Sequence, residues 1–516
     1  MIQLLRLRLK PEDFASDKVI LSKINEAAGE KINDWKIIRK SIDARQKQVW
    51  IDTEIQIATG DDAHARDDIS VQTFQNVNDC SPSVVIVGAG PAGLFAALKA
   101  IELGWRPIVI ERGKPVEDRL HDVVKLQKEG VLNPNSNFCF GEGGAGAFSD
   151  GKLFTRSKKR GNVKDILSLL HYHGANENIL FEAHPHIGSD RLPKVIKAIR
   201  DTIIEHGGDI HFSTSLKDLV IEGNNVVGII TDKGQKFMGP VILATGHSAR
   251  DVYEYLDSKG IRLEDKGFAM GVRLEHPQHL IDSIIYHSKE GRGEWLPPAE
   301  YKMAVQVDGR GVYSFCMCPG GVIVPSASQS GESVVNGMSA SGRSGRWANS
   351  GMVVEIRPED FPEYQKLGSL GMLKLQQDLE KKFYEESHSI NAPAQRMKDF
   401  TEGKISASLP RTSYVPGIHS ADLTKLLPPH ISDRLIKGFK KFGMAKKGFL
   451  TNEAVMIGLE SRTSSPVRIP RDPESLHHPD FNGLYPVGEG AGFAGGIVSS
   501  AIDGQRAMES IAKNIL

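Results

Sequence analysis

The sequence predicts an α/β protein in which a parallel β-sheet is the central element and further domains are attached to it. A fully apolar run, Val84–Val87, is followed directly by a glycine-rich turn, a helical pattern and a second apolar run, Pro107–Ile110. Later in the chain, several short β-patterned runs are separated by Asn-Asn and Lys-Gly turns. The 516 residues exceed the ~250–300 at which single cores stop growing, so two or three domains are expected.

The first 80 residues predict a small βαββ module of the ferredoxin-like type. Its expected elements are a strand at Ile2–Leu9, a helix at Asp17–Ala28, and strands at Trp35–Asp43 and Gln48–Ile57. The segments Gly60–Asp68 and Asn76–Ser83 are polar and contain acidic, Gly, Asn, Ser and Pro residues, which is typical of a linker. We therefore place the first domain boundary near residue 80.

The turn after Val84–Val87 carries the pattern GxGxxG, and Pro91–Leu103 is the predicted helix behind it. Between a strand and a helix, this pattern is the fingerprint of a Rossmann-like dinucleotide-binding fold. Its glycines allow a tight turn, a close approach of the backbone to a pyrophosphate, and close packing of helix on strand. An acidic residue at the end of the next strand, Glu111, can accept hydrogen bonds from an adenosine ribose. The candidate cofactor-binding residues are Gly88, Gly90, Pro91, Ala92, Gly93, Glu111 and Arg112.

The rest of the chain predicts a β-meander, an inserted domain and a return to the parallel sheet. The meander comprises Lys217–Glu222, Val226–Asp232 and Gln235–Met238, and it leads into the buried run Val241–Ala244. Residues 251–449 mix strands with helical stretches such as Met372–Glu386, and they predict an α+β substrate or cap domain. A strand at Leu484–Val487 and a helix through Ala501–Ile511 complete the dinucleotide-binding domain. The two parts of that domain are residues 81–250 and 450–516.

The GxGxxG pattern occurs both in proteins that bind NAD and in proteins that bind FAD. Motifs later in the chain must therefore distinguish between the two cofactors. Leu484–Gly492 resembles the strand–glycine–acid–helix element with which flavoproteins of the glutathione-reductase type hold the flavin half of FAD. Ile242–Gly246 resembles the ATG segment of the same superfamily. This resemblance implies that the acid bonds the ribityl chain and that the last helix directs its N–H groups at the flavin. The implied cofactor contacts are Gly246, Gly488, Glu489, Gly496 and Ile497, and the implied cofactor is non-covalently bound FAD.

A glycine-rich loop, Phe140–Lys152, follows the first βαβ unit. In the family that the chain resembles, the loop at this point passes close to the flavin. Small residues permit close approach of the backbone, and polar ones can bond ribityl oxygens or the polar edge of the flavin. The candidates are Gly143, Gly144, Ala145, Ser149, Asp150 and Lys152. A flexible surface loop is the alternative interpretation.

Five strings extend the resemblance along the chain. They are GEGGAGAFSDGKL at 141–153, Cys316–Gly321, Asn336–Ser339, Thr463–Arg468 and GEGAGFAGGI at 488–497. Together they resemble a group of bacterial proteins described as uncharacterised FAD-dependent, or "NAD-utilizing", dehydrogenases, over nearly the whole chain. The group has no settled substrate, so this resemblance implies a fold and a cofactor more specifically than a reaction.

Cys316 and Cys318 are the first candidates for reacting groups. A thiolate near a flavin can form a charge-transfer pair or exchange with a disulfide substrate. However, flavin disulfide reductases carry their cysteine pair near the FAD fingerprint, and a bridge across a single residue is strained. Two cysteines that are buried or that line a substrate pocket are therefore the alternative.

His247, directly after the ATG segment, is the other candidate, because histidine is the usual acid or base near neutral pH. His184 and His186 belong to segments that we expect near the sheet. A packing or hydrogen-bonding histidine is the alternative for all three. Arg462 and Arg468 could bind a substrate carboxylate or phosphate, or they could form ordinary salt bridges.

Composition restricts the partners. The 64 basic and 64 acidic side chains cancel, so neither nucleic acid nor an anionic membrane is an expected partner. We find no apolar run of the ~20 residues that a membrane span needs and no metal-ligand motif. Four cysteines are too few for a disulfide scaffold and indicate a reducing cytoplasm.

The leading hypothesis is an FAD-dependent oxidoreductase of a small-molecule substrate. A dedicated NAD(P)H domain is not expected without a second GxGxxG, so NAD(P)H would bind transiently at the flavin face. A flavin monooxygenase or a reductase of C=C bonds is the alternative among enzymes. A protein that holds FAD without turnover, and that binds or regulates through its N-terminal module, is the alternative outside enzymes.

Overall fold

The N-terminal segment forms the expected βαββ arrangement. The computed structural model describes residues 2–32, 34–59, 72–155 and 161–515, so the predicted linker Gly60–Asp68 lies outside the described residues. The elements are β1 (Ile2–Leu9), α1 (Pro11–Phe14), α2 (Asp17–Ala28), β2 (Asp34–Asp43) and β3 (Trp50–Ala58). β3 lies between β1 and β2, and both pairings are antiparallel. Ile20 and Ile24 of α2 pack on the sheet in a small core with Ile55 and Ile57.

The second segment contains the βαβ unit and the meander. Its elements are β4 (Ser83–Val87), α3 (Pro91–Glu102), β5 (Arg106–Ile110), α4 (Val116–Glu129), α5 (Val163–Tyr172), α6 (Leu192–Glu205), β6 (Asp209–His211), β7 (Leu216–Glu222), β8 (Asn225–Thr231), β9 (Lys236–Met238), β10 (Val241–Leu243) and α7 (Arg250–Ser258). The strands β7, β8 and β9 form the predicted antiparallel meander, which leads directly into β10.

The third segment is α+β, as predicted. Its elements are β11 (Glu264–Asp265), β12 (Phe268–Pro277), α8 (Gln278–Ile285), β13 (Ala304–Val307), β14 (Arg310–Cys318), β15 (Val322–Pro325), β16 (Val335–Met338), β17 (Trp347–Ile356), α9 (Pro362–Gln365), α10 (Gly371–Glu385), β18 (Ala392–Arg396), α11 (Met397–Thr401), β19 (Ile418–Ser420), α12 (Leu423–Leu426), α13 (Pro429–Ala445) and β20 (Val455–Glu460). Seven of these strands form one sheet in the order β13-β14-β17-β12-β20-β18-β19. In it only β18 and β19 pair in parallel, while the other neighbours are antiparallel.

The last segment returns to the parallel sheet. Its elements are β21 (Val467–Arg468), β22 (Leu484–Pro486) and α14 (Ile497–Ile515). The parallel sheet has the order β22-β10-β4-β5-β6. Since β20 lies inside the seven-stranded sheet, although the predicted boundary at residue 450 assigned it to the dinucleotide-binding domain, we propose that this boundary lies after Glu460.

Both faces of the parallel sheet are covered, which explains why its strands are uninterrupted apolar runs. Successive side chains of a strand point to opposite faces, and Val84 and Ile86 belong to the core beneath α3 and α14. Val85 and Val87 belong to a second core on the other face, together with residues of the meander and of α7. α3 and α14 approach each other closely, since a Cβ added to Gly504 would lie 1.9 Å from the carbonyl oxygen of Ala92.

Candidate functional site

A large cleft lies at the carboxyl ends of the parallel strands. Its volume is about 1300 Å³, and it is lined by the turns that follow β4, β5, β10 and β22. Side chains of β14 and of the segments around it, which belong to the seven-stranded sheet, line the opposite side. The carboxyl edge of an open parallel sheet is where ligands of α/β proteins bind. The cleft is therefore the candidate functional site.

Nearly every residue predicted to contact the cofactor lines this cleft. These residues are Gly88, Gly90, Pro91, Ala92, Glu111, Arg112, Gly144, Ala145, Ser149, Asp150, Lys152, Gly246, Gly488, Glu489, Gly496 and Ile497. The two exceptions, Gly93 and Gly143, lie behind the lining. A Cβ added to Gly143 would lie 2.4 Å from a methyl carbon of Ile196, so this glycine serves packing of the loop.

The three fingerprint glycines have different structural reasons. Gly88 has φ +109°, and a Cβ on it would lie 2.4 Å from the carbonyl oxygen of Ala244. A Cβ on Gly93 would lie 1.8 Å from the carbonyl oxygen of Gly88, so helix and turn can approach only at glycine. At Gly90, by contrast, the nearest protein atom to an added Cβ is 3.8 Å away. No contact with another protein atom requires a glycine at position 90, and the space next to its Cα atom is part of the cleft.

Two helix N-termini open into the same cleft. α3 begins after Gly90, which provides no side-chain cap, and α14 begins at Ile497. The free N–H groups and the positive dipole end of such a helix bind anionic groups. The turn before α14 is fixed from behind, because Asp503 accepts a hydrogen bond from the N–H of Gly488 (2.7 Å) and is itself paired with Arg471 (2.6 Å). No motif in the sequence indicated this buried pair.

Glu111 lines the cleft while its carboxylate is held by the backbone. One oxygen accepts from the N–H of Gly113 (2.8 Å) and Gly141 (3.1 Å), and the other from the N–H of Ala89 (2.8 Å). The residue thereby ties the fingerprint turn to the glycine-rich loop, and the second oxygen retains one acceptor position for a ligand. Arg112 stacks on the ring of Phe140 at 4.5 Å.

The polar residues of the glycine-rich loop are largely engaged with protein groups. Ser149 donates to the carbonyl of Gly146 (2.7 Å) and accepts from the N–H of Gly151 (3.0 Å). Asp150 is buried and accepts from Arg343 and Lys152. Burial alone would raise the pKa of this carboxyl, but the charges of Lys152 and Arg343 outweigh burial and hold it below its usual range. Asp150 is therefore ionised. Nothing in the sequence pointed to Arg343 as its partner.

Cys316 faces the cleft from a distorted strand. Its φ is +42°, and the pairing of β14 with β17 is irregular between Phe315 and Cys318. Cys318 is buried behind it and donates to the carbonyl oxygen of Cys316 (3.3 Å). Cys316 lines the cleft, and burial raises the pKa of its thiol to about 12, against the opposing charge of Lys152. Both thiols are free.

His247 and Glu489 are neighbours in the cleft, with 3.9 Å between Nε2 of His247 and Oε2 of Glu489. Burial, and then the charges of Arg462 and Arg250, lower the pKa of His247 to about 4. Burial raises the pKa of Glu489 to about 7, although Lys266 opposes this shift. The imidazole is therefore neutral near pH 7.

Arg462 belongs to a buried ionic network beneath the cleft. Its guanidinium bonds Glu332 (2.8 Å) and Glu380 (3.0 Å), and Arg250 bonds the same two carboxylates. Arg462 therefore forms salt bridges within the protein, which was the alternative interpretation of this residue, and it does not form a free site for a substrate anion. Arg468 is half-exposed and lies 3.6 Å from Glu264.

The N-terminal module contributes a wall of the cleft. Residues of β2 and of the turn after it, including Lys40, Ile42 and Arg45, belong to the lining. The backbone of Lys40 pairs with Phe181 and Ala183 in two hydrogen bonds of 2.8 Å. Together these contacts make the module part of the site. No sequence pattern indicated this placement.

The described part of the chain comprises residues 2–32, 34–59, 72–155 and 161–515. Among these residues, no three or more His, Cys, Asp or Glu side chains gather in a way that could hold a metal ion. No helix in the same ranges combines the length and apolar character that crossing a membrane requires.

Comparisons with known proteins match the chain in several parts. A model described as "FAD-dependent protein, C-terminal domain-like" matches residues 267–463, one described as "FAD binding domain" matches 83–121, and a domain of unknown function matches 1–58. A Clostridium beijerinckii protein, described as uncharacterized, is 38% identical over 513 residues, which cover 96% of this chain and 95% of that protein.

Two solved structures are also similar over part of the fold. A geranylgeranyl bacteriochlorophyll reductase-like protein from Thermoplasma acidophilum is 12% identical, with 84% of this chain and 79% of that chain covered and a TM-score of 0.35. A glycine oxidase from Bacillus cereus is 14% identical, with 84% and 95% covered and a TM-score of 0.32.

Proposed function

We propose an oxidoreductase function for this chain, which belongs to the same family of FAD-dependent proteins as its relative from Clostridium beijerinckii. FAD is its cofactor. The observation that carries the proposal is the cleft, because one cavity joins the fingerprint turns to a second compartment lined by Lys152, Cys316 and Arg343. That compartment gives a substrate room beside the cofactor.

The residues present fit FAD. Gly90 leaves open space at the N-terminus of α3, where the pyrophosphate would be held, and the free acceptor position of Glu111 suits a ribose hydroxyl. Gly488, Glu489 and the N-terminus of α14 would hold the flavin half. When bound, FAD supplies hydride and electron transfer. We assign the chain to the glutathione-reductase type on the order of these turns, and we propose that the cofactor is held without a covalent bond.

The protein's own side chains would orient the substrate and move its proton. His247 is neutral near pH 7, so its imidazole can accept a proton or a hydrogen bond at the cleft. Cys316 is protonated there, so it acts as a hydrogen-bond donor or as a contact surface rather than as a standing thiolate. We keep both as candidate catalytic residues, with Cys318 in support behind Cys316.

The visible spectrum followed by anaerobic reduction tests the proposal. The purified protein is expected to be yellow, and addition of NADH or NADPH is expected to bleach the flavin band at about 450 nm. A yellow protein that neither nucleotide reduces would mean that the substrate is itself the electron donor, and a panel of organic reductants would then be screened. A protein that neither carries nor takes up FAD, or FAD that no donor reduces, would refute an oxidoreductase.

The same experiment also distinguishes two alternative enzyme activities. Rapid consumption of oxygen by the reduced protein, increased by an organic substrate, would indicate a flavin monooxygenase. Reduced protein that is stable in air but is reoxidised by an activated alkene would indicate a C=C reductase. We further propose a cytoplasmic location, because all four cysteines are free thiols, and a small-molecule substrate rather than nucleic acid.

A further inference from the structure

Lys152, Asp150 and Arg343 form one connected ionic unit on the wall of the cleft. The buried carboxylate of Asp150 accepts from Nε of Arg343 (3.0 Å), from its Nη2 (2.5 Å) and from Nζ of Lys152 (2.9 Å). Two cations therefore share one ionised carboxylate, so the unit carries one positive charge in excess. Arg343 has a left-handed backbone conformation, with φ +45°, which costs energy and is maintained by the contacts around it.

Further charged side chains line the cleft around this unit. Glu300, the next carboxylate of the wall, lies 3.9 Å from Nη1 of Arg343 and is hydrogen-bonded to His184. Another cation, Lys302, lines the cleft beside it, with Nζ 5.8 Å from the ring of Phe154. Lys152, Arg343 and Lys302 therefore share this wall with Asp150 and Glu300, and the carboxylates of Glu182 and Glu294 also line the cleft.

Lys152 also retains hydrogen-bonding capacity. An ammonium group has three N–H donors. One N–H of Lys152 donates to the carboxylate of Asp150, and a second donates to the carbonyl oxygen of Met317. The third N–H has no acceptor among the described residues. Because the side chain lines the cleft and is 32% exposed there, that donor is available to a ligand.

Aromatic surface lies next to this cation. Phe154, two residues after Lys152 in the chain, also lines the cleft. Phe154 is 49% exposed, and Trp295, another residue of the lining, is 50% exposed. Covering such rings with a ligand removes a large apolar area from water.

We propose that this compartment binds an organic anion, whose carboxylate meets Lys152 and whose aromatic body covers Phe154 and Trp295. The inference rests on the proposed function, because it names the substrate class of the same cleft. A charge-assisted hydrogen bond to Lys152 sets the position of the acid. The aromatic surface supplies most of the remaining affinity.

Titration calorimetry on the FAD-loaded protein tests this assignment with two matched probes, β-naphthoate and the uncharged β-naphthyl methanol. The acid is expected to bind about tenfold more tightly than the alcohol, which corresponds to a hydrogen bond to a charged group. Lys152→Gln is expected to remove this preference. Lys437→Gln, at an exposed lysine paired with Asp308 outside the cleft, is the matched control and is expected to keep it. Phe154→Ala is expected to weaken both probes equally.

Equal binding of acid and alcohol, a preference that survives Lys152→Gln, or binding of neither probe would overturn the inference. Each variant is checked for its flavin absorbance before titration. Where Lys152→Gln does not fold, the wild-type comparison of the two probes and the Phe154→Ala variant still decide. Loss of flavin from the wild type would count against the proposed function, whereas retained flavin without acid preference counts only against the anion site.

Discussion

Gly90→Ala should separate cofactor binding from folding. The residue has φ −78° and ψ −176°, which any L-amino acid adopts, and the added methyl would meet no protein atom closer than 3.8 Å. The free energy of unfolding should therefore change by less than about 1 kcal/mol. The methyl instead enters the space at the N-terminus of α3, where overpacking costs about 1–3 kcal/mol. The dissociation constant of FAD should rise roughly 5- to 150-fold.

The assay is a fluorescence titration of the apoprotein with FAD, with thermal unfolding followed by circular dichroism on the same samples. Gly93→Ala provides the contrast, because its methyl would lie 1.8 Å from a backbone oxygen and should cost folding about 3 kcal/mol or more. An unchanged FAD affinity in Gly90→Ala would refute the reasoning, since it would mean that the open space beside Gly90 is not where the cofactor binds.

Three further predictions concern groups around the cleft. Arg462→Leu leaves two buried glutamates with one arginine fewer and should lower the unfolding free energy in urea by about 3–5 kcal/mol; a loss below about 1 kcal/mol would contradict this. His247 has a pKa near 4 in the folded protein and about 6.5 when unfolded, so the unfolded state binds the proton first and stability should fall as pH drops from about 6.5 to 4, by on the order of 3 kcal/mol. The pH dependence of the melting temperature should be shallower in His247→Gln, and an identical slope would count against the assignment. Iodoacetamide near neutral pH should modify exposed Cys80 well before Cys316, whose pKa is raised to about 12; peptide mass spectrometry after timed quenching reads the order, and faster labelling of Cys316 would reverse the argument.

The fold could be predicted wherever a structural constraint acts on residues that are close together in the chain. Val84–Val87 must be apolar because both faces of its strand are buried, and Gly93 must be glycine because its neighbour is a carbonyl five residues earlier. Such constraints are visible in a window of a few residues. They sufficed to predict the parallel sheet, the meander and the turns that line the cleft.

The second compartment could not be predicted, because its partners are far apart in the chain. Asp150 meets Arg343, which is 193 residues away, and neither residue's local pattern contains that pairing. Arg462 was open to an anion-binding interpretation because its partners Glu332 and Glu380 lie on other elements. The N-terminal module is placed against the cleft by contacts between residues far apart in the chain, which include the backbone pairing of Lys40 with residues 181–183, and no periodicity in the sequence indicates them.

That placement has a consequence for how members of this family could diversify. The wall built from β2 belongs to a module with its own small core, while the turns that hold the cofactor belong to the parallel sheet. Exchange of the hairpin turn between relatives would therefore alter which molecules enter the compartment and leave the cofactor turns untouched. Grafting residues 40–45 from one relative into another would exchange part of the cleft wall, together with the contacts that Ile42 and Ala44 make with the core of the seven-stranded sheet.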